Sequence, residues 1–133
     1  MKLSNVYEYP DHLNILFGLL SERTPDQSIS HKNMPSMKEH IDFVQSHPYE
    51  AWYIIDDGFA AGSVYLTKNN EIGIFVFTEC QGLGYGKWAI QEIMRLHPKP
   101  RYLANVNPKN TLSANLFGRI GFKIIQETYE WRL

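Results

Sequence analysis

The sequence predicts an α/β (α+β) domain in which a mixed, mainly antiparallel sheet of six or seven strands carries helices on both faces. Short runs rich in β-branched and aromatic residues predict the strands, and apolar residues at helical spacing predict the helices. The chain has 133 residues, of which 44% are hydrophobic and 20% are charged. This length has room for one hydrophobic core of ordinary size, so we expect residues 1–133 to form a single domain.

The first part of the chain predicts a weak strand over residues 3–9 and two helices. Ser36 and Glu39 have the S-x-x-E spacing of a capping box, which predicts that the second helix begins there and ends before Pro48. Residues 23–35 are polar and interrupted by prolines, so they predict a loop between the helices. The apolar residues expected to be buried on the two helices are Leu13, Leu16, Phe17, Leu20, Met37, Ile41 and Val44.

The middle of the chain predicts three strands joined as hairpins, over residues 51–55, 60–67 and 71–77. Asp56-Asp57-Gly58 and Asn69-Asn70 supply residue types that favour tight turns between strands. The order then changes to strand, loop, helix, strand, helix and strand. The later elements are a helix over 84–96, a strand over 102–106, a helix over 110–120 closed by Gly121, and strands over 122–125 and 128–132.

Composition and charge exclude several classes of function. The net charge is −1 and the sequence pI is about 6.5, so no basic surface indicates nucleic-acid binding. No apolar run approaches the roughly 18–20 residues of a membrane span, and the first residues lack the apolar segment of a signal peptide. Cys80 is the only cysteine. We therefore expect a cytoplasmic protein without disulfides, either a monomer or a homodimer.

The most informative segment lies between the strand that ends at Phe77 and the helix that begins near Gly84. Glycine occupies positions 82, 84 and 86. Without side chains at these positions, the backbone can turn tightly and direct successive N–H groups at one point. The unpaired N–H groups and positive dipole end of the following helix add to the same field. The pattern predicts an anion site, and its alternative is a glycine turn without a ligand.

Two other phosphate-binding motifs fit the spacing poorly. A Walker A loop requires Ser or Thr after its lysine, whereas Trp88 follows Lys87. A dinucleotide-binding motif requires a parallel βαβ unit and an acidic residue about 20 positions further on. Here the preceding strands are predicted as hairpins, and residues 100–103 at that distance are Pro-Arg-Tyr-Leu.

Two motifs together resemble the GNAT superfamily of acetyl-CoA-dependent N-acetyltransferases. Gln81-x-x-Gly84-x-Gly86 is similar to its Q/R-x-x-G-x-G/A signature, and residues 71–76 resemble the strand before it. The order of elements over residues 3–132 also fits that fold. The next helix is similar to the family pattern N-x-x-S-A-x-L-[YF]-x-x-x-G-F through Asn110, Ser113, Ala114, Leu116, Phe117, Gly121 and Phe122.

The resemblance implies that acetyl-CoA is the acyl donor and that no metal takes part. It places the pantetheine arm between splayed strands over residues 74–77 and 102–106, with the diphosphate on the glycine loop. Asn110 is open to two roles, contact with the pantetheine arm and capping of its helix, for which Asn is well suited. The implied cofactor-binding residues are Val76, Phe77, Gln81, Gly82, Leu83, Gly84, Tyr85, Gly86, Lys87, Asn110 and Phe117.

For catalysis, the resemblance implies direct attack of a neutral amine on the thioester. Glu71 is the candidate base, because relatives carry a carboxylate on this strand; its alternative is a solvated turn residue. A backbone N–H of Val76 or Phe77 is expected to stabilise the oxyanion. Many relatives protonate the thiolate with a tyrosine where this chain has Phe117. That role then falls to water, to Tyr85 or Tyr129, or is dispensable. Cys80 has no histidine beside it in the motif that would activate it as a nucleophile.

The acceptor is expected to bind near the segment between the first two helices. His31 and Trp52 are the candidate substrate-binding residues, His40 is a further candidate base, and Tyr49 and Tyr53 add aromatic surface. The alternative is that these aromatic residues pack in the core. Aromatic and polar groups together favour a small polar amine, such as an amino sugar or a sugar nucleotide. Acetylation of a protein N-terminus or lysine, and a non-catalytic acyl-CoA-binding module, are the alternative functions.

Overall fold

The computed structural model describes residues 1–23 and 34–133. Within these residues the chain forms one antiparallel sheet in the order β1-β2-β3-β4. A turn of 3₁₀ helix, Thr78–Cys80, links β4 to α3. The elements are β1 (Lys2–Asn5), α1 (His12–Ser21), α2 (Met37–Gln45), β2 (Ala51–Asp56), β3 (Ala60–Leu66), β4 (Ile72–Val76), α3 (Tyr85–Leu96) and α4 (Thr111–Ile120).

The predicted hairpins are confirmed. Trp52 pairs with Tyr65 across β2 and β3, and Tyr65 pairs with Gly73 across β3 and β4. Asn70 adopts the left-handed conformation, with φ of 64°, in the turn before β4. The turn at Asp56-Asp57-Gly58 is accompanied by an irregularity in register between Ile55 and Asp56. The local turn chemistry therefore places the three strands as the sequence indicates.

The capping box at the start of α2 is also confirmed. The Glu39 N–H donates to Ser36 Oγ over 3.1 Å, and the Ser36 N–H donates to Glu39 Oε1 over 3.0 Å. The predicted buried face of this helix is only partly right, because Val44 is buried whereas Met37 is exposed. His40 takes the buried position instead, between α1 and α2.

Helices cover both faces of the sheet, as predicted. One face carries α3 and α4, and its core includes Ile55, Val64, Ile90 and Phe117. The other face carries α1 and α2, and its core includes Val6, Leu16, Leu19, Val44, Trp52 and Ile54. Because successive side chains on a strand point to opposite faces, β2 contributes Ile55 to the first core and Ile54 to the second.

The sheet has four strands in the described residues, rather than six or seven. The predicted strand over 102–106 is reduced to a single parallel bridge between Glu71 and Leu103. The predicted strands over 122–125 and 128–132 are wrong, since the chain leaves α4 at Gly121 and residues 123–133 are exposed. Ile124 is 89% exposed and Trp131 is 82% exposed. Alternating residues favour an extended backbone, but a ladder also requires a neighbouring strand at hydrogen-bonding distance.

Candidate active site

A gap opens along β4 where the sheet should continue. The Ile72 N–H donates to the Leu103 carbonyl over 2.7 Å, and the Leu103 N–H donates to the Asn70 carbonyl over 2.8 Å. Beyond these two bonds, no further ladder bond joins β4 to residues 104–106 in the part of the chain that the structure describes. The two segments therefore diverge from Ile72 towards Val76.

The register of β3 and β4 decides which backbone groups face the gap. The Thr67 N–H donates to the Glu71 carbonyl over 2.8 Å, and the Phe77 N–H donates to the Ala61 carbonyl over 2.9 Å. In an antiparallel ladder the hydrogen-bonding direction alternates along the strand, so Ile74 and Val76 direct their N–H and C=O groups away from β3. The prediction that the Phe77 N–H is free to bind an oxyanion is therefore wrong, because Ala61 already accepts it.

The glycine loop at the end of β4 leaves its backbone donors open. Gly82 and Gly84 have φ values of 78° and 89°, a region that disfavours side chains, and a Cβ at either position would meet nothing within 4 Å. The first intrachain bond of α3 runs from the Trp88 N–H to the Gly84 carbonyl over 3.1 Å. Among the described residues, none accepts a hydrogen bond from the backbone N–H groups of residues 82–87. The loop forms an open concavity of donors, as an anion site requires.

Gly86 brings the loop against the gap. A Cβ there would lie 2.8 Å from Leu116 Cδ2 on α4 and 3.8 Å from Val76 Cγ2 on β4. A Cβ at this position would force the end of the Leu116 side chain to shift, because real Cβ atoms do not approach other atoms so closely. The third glycine of the motif therefore serves helix packing, whereas Gly82 and Gly84 serve the conformation of the loop.

One groove joins the two features. It has a volume of about 400 Å³ and runs from the exposed edge of β4 to the glycine loop and the start of α4. Its charged lining comprises Arg23, Lys87 and Arg119 against Glu22. The Glu22 carboxylate already accepts from the Thr78 N–H over 2.8 Å and from the Thr78 hydroxyl over 3.0 Å. The balance of charge in the groove therefore favours an anionic ligand.

A smaller cavity adjoins the groove at the narrow end of the gap, between β4 and residues 105–107, and Tyr65 and Phe75 line it from the α1 face of the sheet. Tyr65 lies directly over Gly73, since a Cβ at Gly73 would fall 2.0 Å from the Tyr65 Cζ. The Tyr65 ring stacks on Tyr49 with ring centroids 4.0 Å apart. Burial raises the pKa of both phenols, so both stay protonated at neutral pH. The lining is Arg23, Tyr65, Ile72, Gly73, Ile74, Phe75, Asn105, Val106, Asn107, Asn110, Ser113 and Phe117.

The acetyltransferase (GNAT) family model matches residues 16–122 of this sequence. The chain belongs to the GNAT acetyltransferase family. Comparison with curated proteins finds no match. The structure is similar to a domain from Methanocaldococcus jannaschii DSM 2661, with a TM-score of 0.79, 20% identity, and 97% of this chain and 92% of that chain covered. It is also similar to a spermidine N-acetyltransferase chimera from Vibrio cholerae and hSSAT, with a TM-score of 0.72, 19% identity, and 96% and 84% covered.

GNAT membership implies acetyl-CoA as the acyl donor, and the residues present fit that molecule. Its two pantetheine amides match the exposed edge groups of Ile74 and Val76, and its phosphates match the open donors of the glycine loop.

In the described ranges, no helix is long and apolar enough to cross a membrane. Residues 1–23 and 34–133 also contain no cluster of three or more His, Cys, Asp or Glu side chains placed to hold a metal ion.

The predicted cofactor residues fall along this groove with three exceptions, Leu83, Phe77 and Phe117. The lining includes Val76, Gln81, Gly82, Gly84, Tyr85, Gly86, Lys87 and Asn110. Leu83 is exposed on the loop but is not part of the lining, and Phe77 packs with the core beside α1. Asn110 caps α4 by accepting from the Ser113 N–H over 3.2 Å and also lines both cavities, so its two predicted positions coexist.

Phe117 is 5% exposed, packs edge-on against Phe122 with centroids 5.0 Å apart, and lines the smaller cavity. Of the two tyrosines considered in its place, Tyr85 donates its hydroxyl to Asp57 Oδ2 over 2.7 Å, and this bond raises its pKa. Tyr129 is exposed and donates to Glu127 over 2.9 Å. Neither hydroxyl points into the groove as a free proton donor.

The candidate bases differ in position. Glu71 lies at the narrow end of the gap, where it accepts from the Thr67 hydroxyl over 3.1 Å and from Asn105 Nδ2. It does not line either cavity, although its partner Asn105 lines the smaller one. His40 is buried, and its Nε2 donates to the Leu13 carbonyl over 2.9 Å, so the placement of His40 beside the acceptor is wrong. His31 lies outside the described residues.

Two other candidates are placed in the core. Trp52 is buried beneath α1 and α2 and lines neither cavity, so the structure does not place it beside an acceptor. Cys80 is buried in the other core, and burial raises the pKa of its thiol, which disfavours the reactive thiolate.

Arg23 and Arg119 were not among the site residues predicted from the sequence, although they supply much of the positive charge of the groove. Arg119 could have been found, because it shares one face with Leu112 and Leu116, at i, i+4 and i+7, on a helix already predicted to border the cofactor. Arg23 gave no such signal, since it follows α1 in a segment predicted only as a polar loop.

Proposed function

We propose that this GNAT chain transfers the acetyl group of acetyl-CoA to a primary amine. The observation that supports this most directly is the continuity of the exposed edge of β4 with the open donors of residues 82–87 in one groove. A pantetheine arm can pair with Ile74 and Val76 in the manner of an added strand. The diphosphate then reaches the N-terminus of α3. Lys87 and Arg119 supply compensating charge at this end of the groove.

Val76 is the residue proposed to polarise the thioester. Its N–H faces the gap and has no acceptor among the described residues, whereas the Phe77 N–H is engaged by Ala61. The Val76 carbonyl accepts only a long bond of 3.4 Å from Gln81 Nε2, which a pantetheine amide can replace. A fixed N–H aimed at the carbonyl oxygen stabilises the negative charge that develops there when the amine attacks.

The amine must lose a proton, because an alkylammonium with a pKa near 10 cannot attack. Glu71 remains the candidate base. It is fixed by Thr67 and Asn105, and Asn105 borders the smaller cavity, so a proton can reach Glu71 through water along the Asn105 side. Since Phe117 carries no proton and the Tyr85 hydroxyl is held by Asp57, water is the proposed donor to the departing thiolate.

The acceptor is proposed to bind in the smaller cavity, at the narrow end of the gap. A small polar amine fits this space, and an amino sugar or sugar nucleotide stays a prediction. The aromatic side chains that favoured a sugar make other contacts. Trp52 is buried, Tyr49 stacks on Tyr65, and Tyr53 hydrogen-bonds to His97 over 2.7 Å.

The test is a panel of amines incubated with acetyl-CoA and read by release of free thiol. The panel should contain amino sugars, amino acids, polyamines, and peptides with free N-termini or lysines. We expect turnover with at least one small amine. Turnover with peptides alone would favour a protein acetyltransferase. If calorimetry detects acetyl-CoA binding and no amine releases thiol, the chain is a binding module and the proposed activity is wrong.

A further inference from the structure

Arg23 occupies the boundary between the two cavities and lines both of them. Its guanidinium carbon lies 4.2 Å from the centroid of the Phe75 ring. Phe75 and Tyr65 belong to the core beside α1, whereas Ile74 and Val76 belong to the core beside α3. Arg23 therefore approaches the gap from the face opposite to the glycine loop and its helix.

The charge of Arg23 is not balanced within the described residues. Its Nε is buried without a hydrogen-bond partner, and none of the described carboxylates lies within ion-pair distance. The carboxylate of neighbouring Glu22 accepts hydrogen bonds from the N–H and the hydroxyl of Thr78. The nearby phenols of Tyr49 and Tyr65 cannot compensate, because burial keeps them protonated. Burial also lowers the pKa of the Arg23 guanidinium, which still remains charged at neutral pH.

The unpaired guanidinium of Arg23 is positioned to bind an anion. The cation–π contact with Phe75 holds the guanidinium beside the gap, which reduces the ordering that a ligand must impose on it. A carboxylate or phosphate can accept two parallel N–H bonds from such a group. Leaving a buried donor and a partly buried charge unpaired is costly, and an anionic ligand removes that cost.

We propose that Arg23 binds an anionic group of the acceptor, so that the substrates are amines that also carry a carboxylate or phosphate, such as amino acids or amino phosphates. This inference rests on the proposed acetyl transfer and specifies its substrate class. The amine then lies towards the gap, and the anionic group lies on the α1 side beneath Arg23. The acyl donor occupies the larger groove, held by the loop and by Lys87 and Arg119.

The test compares amines that carry an anionic group with counterparts that lack it, and kcat/KM is expressed per concentration of neutral amine, because the anionic group also raises the pKa of the amine. Glycine and β-alanine are compared with their carboxamides, and phosphoethanolamine with ethanolamine, by kcat/KM for thiol release. We expect at least one anionic amine to exceed its neutral partner by roughly 10- to 100-fold, the value of a hydrogen bond to a charged group. The carboxylate and phosphate pairs show which anion is bound. Equal kcat/KM within every pair would overturn the inference.

Three variants test whether Arg23 is responsible for the preference for anionic amines. Arg23→Gln should abolish the preference for the anionic amine and should raise the Kd for coenzyme A much less than Arg119→Gln does. Arg23→Lys, which keeps the charge but loses the paired donors, should retain part of the preference. The matched control is Arg119→Gln, which should weaken coenzyme A binding and leave the preference intact. If Arg23→Gln weakens coenzyme A binding and leaves the preference intact, Arg23 serves the donor and the inference is wrong.

Two further readouts distinguish an anion-binding Arg23 from a structural one. Because Arg23 makes no ion pair with described residues, Arg23→Gln should not lower the melting temperature, whereas a structural role would lower it. Calorimetry of the amines with coenzyme A-loaded protein needs no turnover. If no amine is acetylated but the anionic amines bind wild type and not Arg23→Gln, the proposed activity fails and the anion site stands. If neither turnover nor binding depends on Arg23, the inference fails alone.

Discussion

The open concavity of the glycine loop predicts a specific effect of Gly84→Ala, for which Gly121→Ala is a matched control. Gly84 and Gly121 have φ values of 89° and 115°, and a Cβ at either position would meet nothing within 4 Å. Both substitutions therefore incur a backbone penalty of about 1–2 kcal/mol without a steric clash. Only Gly84 lines the groove. The two variants should lose similar stability and differ in ligand binding.

The binding difference follows from the space above Gly84. A methyl group there occupies the position from which a phosphate oxygen would accept backbone N–H bonds. Loss of one hydrogen bond to a charged group is worth about 1.5–3 kcal/mol, which raises the Kd by roughly 10- to 150-fold. Coenzyme A at a hundred times its Kd should stabilise wild type by about 2.7 kcal/mol, and about half or more of this stabilisation should disappear in Gly84→Ala at the same concentration.

The assay is thermal unfolding of wild type and both variants with and without coenzyme A, supported by calorimetric Kd values. Without ligand, each variant should melt a few degrees below wild type, since about 1 kcal/mol corresponds to roughly 2–8 °C in domains of this size range. With ligand, Gly121→Ala should gain as much stability as wild type. If Gly84→Ala and Gly121→Ala bind coenzyme A with Kd values within a factor of two, the loop does not hold the phosphates.

The remaining predictions concern catalysis and stability. Glu71→Gln should lower kcat by about 10²- to 10⁴-fold with little change in coenzyme A binding if Glu71 is the base; a loss of melting temperature with unchanged kcat would assign it to the turn alone. A general acid that the reaction requires contributes roughly 10²-fold or more to the rate. Phe117→Tyr should raise kcat by far less than this. A gain of roughly 10²-fold in the steady-state kcat would show that protonation of the thiolate limits the rate. Ser36→Ala should lower the free energy of unfolding by about 1 kcal/mol in denaturant titrations without changing the KM for acetyl-CoA. The hydrogen bond from the Ser36 backbone, followed by that from its side chain, lowers the pKa of Glu39 below 4.5. This carboxylate therefore stabilises the fold above its unfolded pKa and loses its contribution as pH falls through the lower folded pKa. The stability difference between wild type and Glu39→Gln should shrink below about pH 4.5, and a difference that is constant with pH would contradict the role of the charge.

Features that depend on neighbouring residues were predicted well from the sequence. The capping box of α2, the glycine loop, the Asn110 cap and the left-handed Gly121 each involve residues within a few positions of one another. Such features form through local backbone geometry and short-range hydrogen bonds, so the residue types alone specify them. The hairpins of β2, β3 and β4 belong to the same group, because their turn residues are adjacent to the strands they join.

Contacts between distant segments were predicted less well. Alternation along β4 indicates that every second amide faces one way, but only the bond from the Phe77 N–H to Ala61 decides that Val76, and not Phe77, faces the gap. The strands expected over 122–125 and 128–132 show the same limit, because their pattern specifies an extended backbone and not a neighbour. His40 looked like a base in sequence and lies between two helices.

The sequence by itself therefore determined the family, the glycine loop and the strand, residues 74–77, along which acetyl-CoA is expected. Each of these follows from short motifs whose residues are close along the chain. Only the tertiary structure decided that β4 and Leu103 separate after one bridge, which amides line the resulting gap, and that Arg23 lies over Phe75 without a carboxylate partner in the described residues. These depend on the packing of segments about 15–50 positions apart, for which no local pattern carries a signal.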